Sequence, residues 1–360
     1  MSPNILKVRP FVKAKLCNIL YIYGMILKRF MPLALAWFAT PVVCHAYFTQ
    51  GDAGQEVFSF INTFDSPRNA ALEKSAGAGP STDPTIVQLN PAAIRLPDGK
   101  HHIAAIHWQT GDFADNQGSL TYTGHVDKFI YQISYNWLDY GSIDGYDENN
   151  YATGVKYEPF SQLATASVSF PMKHFQFGAT LKFASDKLSE DDGDRTAFGT
   201  AFDWGIAWQS SSNQVGLALV ARDFGLIWRD YTDDGDDNYY PMSQTFAVSA
   251  YLKPASVRRL SLYASSDFPR FQEAFLSLGG EYFLGESFAV RLGFSRTWLD
   301  LYRDALELMA SKKRPDETNR AHMLSAGLGY NSDLFSLDYS LSYLAQGLGM
   351  EHRLGLRFNF

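Results

Sequence analysis

Cysteine is nearly missing from this chain of 360 residues. The two present, Cys17 and Cys44, lie in the first 46 residues. That stretch reads as a targeting segment. Lys28 and Arg29 precede an apolar run over residues 31–43, and Cys44-His45-Ala46 offers a cleavage point before Tyr47. Met25 is an alternative start that leaves a compact signal. Lipidation of Cys44 is disfavoured by the bulk of Val43 before it. Cleavage after Ala46 leaves no cysteine, which excludes disulfides, thiolate metal sites and cysteine nucleophiles. Charge is also scarce, at 19% of residues, and the net charge is -7. Residues 1–46 hold six Lys/Arg and no Asp/Glu, so their removal deepens it to about −13, which disfavours nucleic acid as a partner. Beyond residue 46 no apolar run approaches the ~20 residues of a membrane helix. No Gly-x-Ser-x-Gly elbow, P-loop or His-Glu-x-x-His motif occurs. The sequence therefore predicts no catalytic residue, no cofactor and no metal site, and a protein that is not an enzyme.

Aromatics are plentiful: 27 Phe, 20 Tyr and 7 Trp. Mean hydropathy is nonetheless only -0.18, as expected when apolar and polar residues alternate. The last nine residues show the pattern. Leu354, Leu356, Phe358 and Phe360 fall on one face of a strand, and Arg353, Gly355, Arg357 and Asn359 on the other. An alternating edge needs a partner strand, and a closed transmembrane barrel supplies one. The edge of a soluble sandwich is the alternative. The ending also resembles the insertion signal of outer-membrane barrels, which makes Phe358 and Phe360 candidate signal residues.

Fourteen runs are compatible with strands: 101–109, 118–123, 128–139, 161–170, 173–185, 196–209, 213–224, 242–252, 258–267, 272–283, 287–298, 321–330, 334–343 and 351–360. The even-numbered connections are short, two to five residues. Most odd-numbered ones are long, notably 140–160, 186–195, 225–241 and 299–320; 268–271 is the exception. Short turns on one side and long loops on the other are the asymmetry of outer-membrane barrels. The expected fold is thus an all-β, 14-stranded antiparallel transmembrane β-barrel in the bacterial outer membrane, with outer-membrane lipid around it. Its predicted parts are a signal segment 1–46, an N-terminal plug-like segment 47–100 and a barrel 101–360.

Alternation also assigns the faces. Phe175, Phe177, Ala179, Leu181 and Phe183 should face lipid, and Gln176, Gly178, Thr180 and Lys182 the lumen. Charge is expected to be harmful at Phe177 and mild at Gln176. Arg291 should face inward, where a plug carboxylate would pair with it. His101 and His102 point to opposite faces and make a poor metal pair. Trp108, Trp137, Trp228 and Trp298 lie near strand ends, as interfacial anchors do. The long loops are acidic and aromatic. Asp233–Asp237 lacks the spacing of a calcium loop, and residues 301–313 have helical periodicity. Exposed aromatics suit protein docking, so Trp228, Tyr231, Tyr239 and Tyr240 are candidate partner-binding residues.

A family pattern appears before the barrel. Phe58-Ser59-Phe60-Ile61, then Ser66-Pro67-Arg68-Asn69-Ala70-Ala71-Leu72, Gly77-Ala78-Gly79, Asp83-Pro84 and Gln88-Leu89-Asn90-Pro91-Ala92 follow one another. The segment resembles the N-terminal pattern of PorV/PorQ proteins, within a wider group of FadL-like barrels. Glu73-Lys74-Ser75 departs from that pattern. Asn90, Pro91 and Ala92 match best: Asn can close a local turn and Pro restricts the residue before it. The resemblance implies an outer-membrane component of the type IX secretion system. Such a protein binds secreted cargo, through the cargo C-terminal domain, or partner subunits at the cell surface. The wider relatives instead imply transport of hydrophobic small molecules. A soluble exported β-protein is the third reading.

Overall fold

A computed structural model describes residues 57–111, 116–189, 194–231, 242–310, 322–343 and 349–360. The signal segment, the start of the plug-like segment, the acidic runs 190–193 and 233–237, Tyr239 and Tyr240 lie outside the described residues.

Among the described residues sixteen strands follow the N-terminal segment: β1 (His102–Gly111), β2 (Asn116–Val126), β3 (Phe129–Asp139), β4 (Ile143–Tyr146), β5 (Ala152–Tyr157), β6 (Phe160–Met172), β7 (Phe175–Lys187), β8 (Ala197–Gln209), β9 (Val215–Arg229), β10 (Thr245–Leu252), β11 (Leu260–Pro269), β12 (Phe275–Leu284), β13 (Phe288–Thr297), β14 (His322–Asn331), β15 (Phe335–Tyr343) and β16 (Met350–Asn359). Fourteen form one closed antiparallel barrel, in which β16 pairs with β1. Each corresponds to one of the fourteen expected runs. Closure leaves no barrel strand with an unpaired edge, which a lipid environment requires. Among the described residues no helix is long and apolar enough to cross a membrane.

Two features of the loops were not legible. β4 and β5 form a separate hairpin within the long loop after β3. Its turn is set by the Asp147 carboxylate, which accepts from the backbone N–H groups of Asn149 and Tyr151 at 2.9 and 2.8 Å. β9 runs beyond the expected 224, to Arg229. At its middle Arg222 and Asp223 together oppose Asp203, and Asp223 has φ 62. Such a bulge shifts the alternation by one residue. The shift hid the second half of the strand, so Trp228 belongs to the wall and not to a loop.

The faces follow the sequence expectation. On β7, Leu181 and Phe183 are exposed on the outer wall, while Gln176, Thr180 and Lys182 are buried inside. On β16, Leu354 and Phe358 face out and Arg353 faces in, and Phe360 beyond it is also exposed. The lumen is not an open pore at the turn end. The N-terminal segment fills it with a short helix α1 (Pro67–Ala71) and the 3-10 turns Ser75–Ala78 and Pro84–Gln88, while a further 3-10 turn, Ser59–Asn62, lies toward the loop end. Ser66 caps α1 by accepting from the Asn69 N–H at 3.1 Å, and Asp83 caps the turn Pro84–Gln88 by accepting from the Thr85 N–H at 3.0 Å. Leu72, Ile86, Val87, Leu89 and Ile94 make an apolar core with Tyr251 and Tyr263 of the wall.

Glycines of the inner wall receive this segment. A Cβ on Gly293 would lie 2.7 Å from both the Ala71 carbonyl oxygen and the Glu73 nitrogen. One on Gly178 would run into the backbone of Pro91 and Ala92. Backbone cannot step aside as a side chain tip can. Gly178→Val is therefore expected to destabilise the protein by ~1–3 kcal/mol through overpacking. Gly280→Ala on β12, where an added Cβ meets only the Leu262 side chain at 3.8 Å, should be nearly silent. Urea unfolding of both variants in lipid vesicles checks the contrast; equal midpoints would mean that the segment is not seated against β7.

Candidate lumenal site

The loop end of the lumen is divided. Along β3, β6, β8 and β9, the phenylalanines of the N-terminal segment pack on the wall. Phe58, Phe60, Ile61 and Phe64 are buried with Leu138, Leu163, Ile227 and Met242. Phe60 meets Phe58 and Phe64 edge-on, at 5.9 and 6.0 Å between centroids. Edge-to-face contacts of this kind suit the ring quadrupoles.

Against the adjoining wall lies a cavity of about 720 Å³. Its barrel side comes from the loop ends of β9 to β13, including Arg222, Asp267, Phe275, Ser277 and Ser295. Its plug side includes Ile61, Asp65, Lys74 and Leu89. Three of the cations around it are paired, Arg296 with Asp304 at 2.7 Å. Lys74 Nζ meets Asp65 Oδ2 at 2.7 Å and Arg222 Nη2 meets Asp267 Oδ2 at 2.5 Å. Phe271, Phe275, Ile61 and Leu89 supply apolar surface between them. Cations that are already paired, set among apolar patches, offer an uncharged ligand contact area that does not require a guanidinium or ammonium to give up its partner. Glu73 borders the cavity, and burial pushes its carboxyl above the ordinary glutamate range.

Two buried ionic groups brace the lumen below. Lys182 on β7 bridges Asp203 and Asp223 at 2.8 and 2.6 Å, across the bulge. Nearer the turn end, Arg68 of α1 meets Glu281 of β12, with Nη2 at 2.8 Å and Nε at 3.1 Å. Arg291 of β13 meets the same carboxylate at 2.7 Å and Asp338 of β15 at 2.5 Å. This corrects the expected pairing. Arg291 is neutralised by the wall itself, and the plug contributes a cation.

The sequence-derived candidates separate. Asn90 Oδ1 accepts from the Ala92 N–H at 2.9 Å, and Asn90 Nδ2 donates to the Gly77 carbonyl at 2.7 Å. The Asn90-Pro91-Ala92 turn therefore ties two parts of the plug and rests on Gly178 and Gly205. Trp228 is 63% exposed on the outer wall, and its Nε1 donates to Thr200 Oγ1 at 3.1 Å. Tyr231 turns inward: its hydroxyl donates to Asp186 Oδ2 at 2.5 Å and its ring lies 6.2 Å from that of Phe58. Burial and the Asp186 carboxylate push that hydroxyl far above its ordinary range, so it remains a donor. Ring and hydroxyl are thus both occupied within the chain. A loop helix α2 (Trp298–Ala310) covers most of the stretch 301–313 read as helical, but it starts three residues earlier, directly at the end of β13; residues 311–313 lie outside the described residues. Among the described residues no group of three or more His, Cys, Asp or Glu is placed to hold a metal ion.

No family model and no curated protein matches the sequence. Solved structures do match in fold. The CymD monoaromatic hydrocarbon channel aligns at a TM-score of 0.58 and 11% identity, over 84% of this chain and 99% of that one. The toluene transporter TodX of P. putida aligns at 0.56 and 12%, over 82% and 99%. The Ralstonia pickettii toluene transporter TbuX aligns at 0.56 and 12%, over 84% and 100%. All three are named as channels or transporters, so the PorV/PorQ subfamily and a type IX role gain no support from them. At these identities the likeness concerns the fold alone: the chain is a closed 14-stranded antiparallel β-barrel of the bacterial outer-membrane type, in the architecture that these channels share.

Proposed function

We propose that the barrel is a conduit for hydrophobic small molecules across the outer membrane, and not an enzyme. The observation that carries this reading is the cavity of about 720 Å³ at the loop end, where Ile61, Leu89, Phe271 and Phe275 lie among polar side chains and paired cations. Its size lies within the ~300–1,000 Å³ range of small-ligand pockets. The likeness in fold to channels for toluene and other monoaromatic hydrocarbons supports it. The plugged lower lumen fits a route that is gated. Ser277 and Ser295 face each other across the cavity wall at 3.1 Å, and Ser295→Trp should occupy the space that a ligand would take. Cells carrying that variant are expected to take up a labelled alkylbenzene or long-chain fatty acid only at the rate of cells lacking the barrel. Uptake of both probes that is independent of the wild-type protein would refute the proposal.

One observation favours a second reading, docking of a protein at the loops. On α2, Tyr302, Leu306 and Met309 lie along one side, and Leu308 and Met309 are 86% and 81% exposed. Trp228 adds an outward aromatic at the same end. Tyr239 and Tyr240 remain candidates by sequence alone. Leu306→Glu with Met309→Glu should weaken co-purification of an outer-membrane partner if docking operates, and leave uptake unchanged.

A further inference from the structure

The turn end of the barrel brings two histidines together that the sequence keeps apart. His102 of β1 pairs with Gly124 of β2, so one step beyond it His101 stands beside His125. His101 Nδ1 and His125 Nε2 are 2.7 Å apart, with ring centroids separated by 5.0 Å. His102 is engaged elsewhere: its Nδ1 lies 2.9 Å from the Tyr122 hydroxyl and its ring 5.7 Å from that of Phe360. We propose that His101 and His125 form a chelate for a divalent transition-metal ion of the zinc, nickel or copper class.

The chemistry follows from the imidazole. Each neutral ring carries one N–H and one lone pair. In the resting chain one N–H···N hydrogen bond accounts for the short distance. When the donor ring shifts its N–H to its far nitrogen, where the acceptor ring already carries its own, two lone pairs converge on one point, and a cation there takes the place of the shared proton. Two metal–nitrogen bonds of ~2.0–2.1 Å at a tetrahedral angle need nitrogens about 3.3 Å apart. A small rotation of side chains at an exposed rim supplies that difference. Imidazole favours these ions over calcium or magnesium, which prefer oxygen. With two protein ligands the remaining positions belong to water, so the ion exchanges readily. Its placement matters for the barrel. The backbone N–H groups of His101 and His102 both donate to the Phe360 carbonyl, at 3.0 and 2.7 Å. An ion that clamps β1 to β2 here stiffens the start of the strand on which β16 closes.

Calorimetric titration of the detergent-solubilised, untagged protein with zinc chloride tests this. One saturable site per chain is expected, together with a higher temperature for the heat-induced gel-mobility shift. His101→Ala and His125→Ala should each abolish both effects. His352→Ala, which removes an imidazole on the outer wall beside Tyr339, should retain them. Folded mobility of each variant before heating shows that the barrel has formed. Absence of saturable binding in the unaltered protein, or binding that survives both single substitutions, would overturn the proposal. The outcome does not depend on whether the barrel transports hydrophobic molecules.

Discussion

Glu281→Gln is expected to loosen the N-terminal segment while leaving the barrel closed. The Glu281 carboxylate lies between two guanidinium groups, Arg68 from α1 and Arg291 from the wall. All three side chains are almost fully removed from solvent. Without the carboxylate, Arg291 keeps Asp338 at 2.5 Å. Arg68 keeps only neutral acceptors, the Tyr263 hydroxyl and Ser81 Oγ, both at 3.1 Å. Removing one partner from a buried pair typically costs ~3–5 kcal/mol, because the other charge stays desolvated. The plug can relieve that cost by moving Arg68 toward water, whereas the strands cannot. Hydrogen exchange should therefore accelerate over residues 66–95, and the barrel should still resist detergent unfolding. Lys156→Ala is the control. Its ion pair with Asp144, at 3.7 Å, is well exposed on both sides, and such pairs contribute ~0–1 kcal/mol. Exchange over 66–95 that does not change in Glu281→Gln would show that the segment is held by apolar packing alone.

The barrel was legible because its signal is local and repeated. Each strand announces itself by alternation, and the lengths of the connections fix which ends face which side. The signal failed wherever alternation broke. At Arg222 and Asp223 the bulge inserts one residue, and the strand beyond it fell out of phase with the pattern before it. The hairpin β4–β5 stands clear of the barrel, so burial imposes no two-residue period on it. The contents of the lumen were not legible for a different reason. Arg68 and Glu281 are 213 residues apart in sequence, and nothing local to either identifies the other. The same holds for Tyr231 and Asp186, whose contact turned an expected exposed aromatic inward. His101 has His102 beside it in sequence, but the neighbour it meets in space is His125, across the hairpin.

The lumen-filling segment also changes what charge on the two faces of β7 should do. Leu181 is the central residue of this strand and is 42% exposed on the outer wall. Leu181→Arg places a guanidinium near mid-bilayer, where lipid offers it no acceptor, and is expected to cost ~2–4 kcal/mol. Phe175→Arg, at the turn end of the same strand, should cost ~0–1 kcal/mol, since the side chain can reach the interface. For an open channel the inward neighbour Gln176 would accept arginine with little effect, as alternation alone suggests. The structure argues otherwise. Gln176 is buried and its Nε2 donates to the Ile94 carbonyl of the plug at 3.0 Å and to Ser169. Arginine there is too long for the space and strands a charge that no described carboxylate is shown to meet. Its cost should therefore rival that of Leu181→Arg, by a different route: unseating of residues 86–94 and not exposure of charge to lipid. Urea unfolding measures the totals, and hydrogen exchange over 86–94 separates the routes. Exchange should rise for Gln176→Arg and stay unchanged for Leu181→Arg. A silent Gln176→Arg would mean that the segment leaves the lumen in the membrane-embedded protein, and that the cavity above it belongs to a continuous channel.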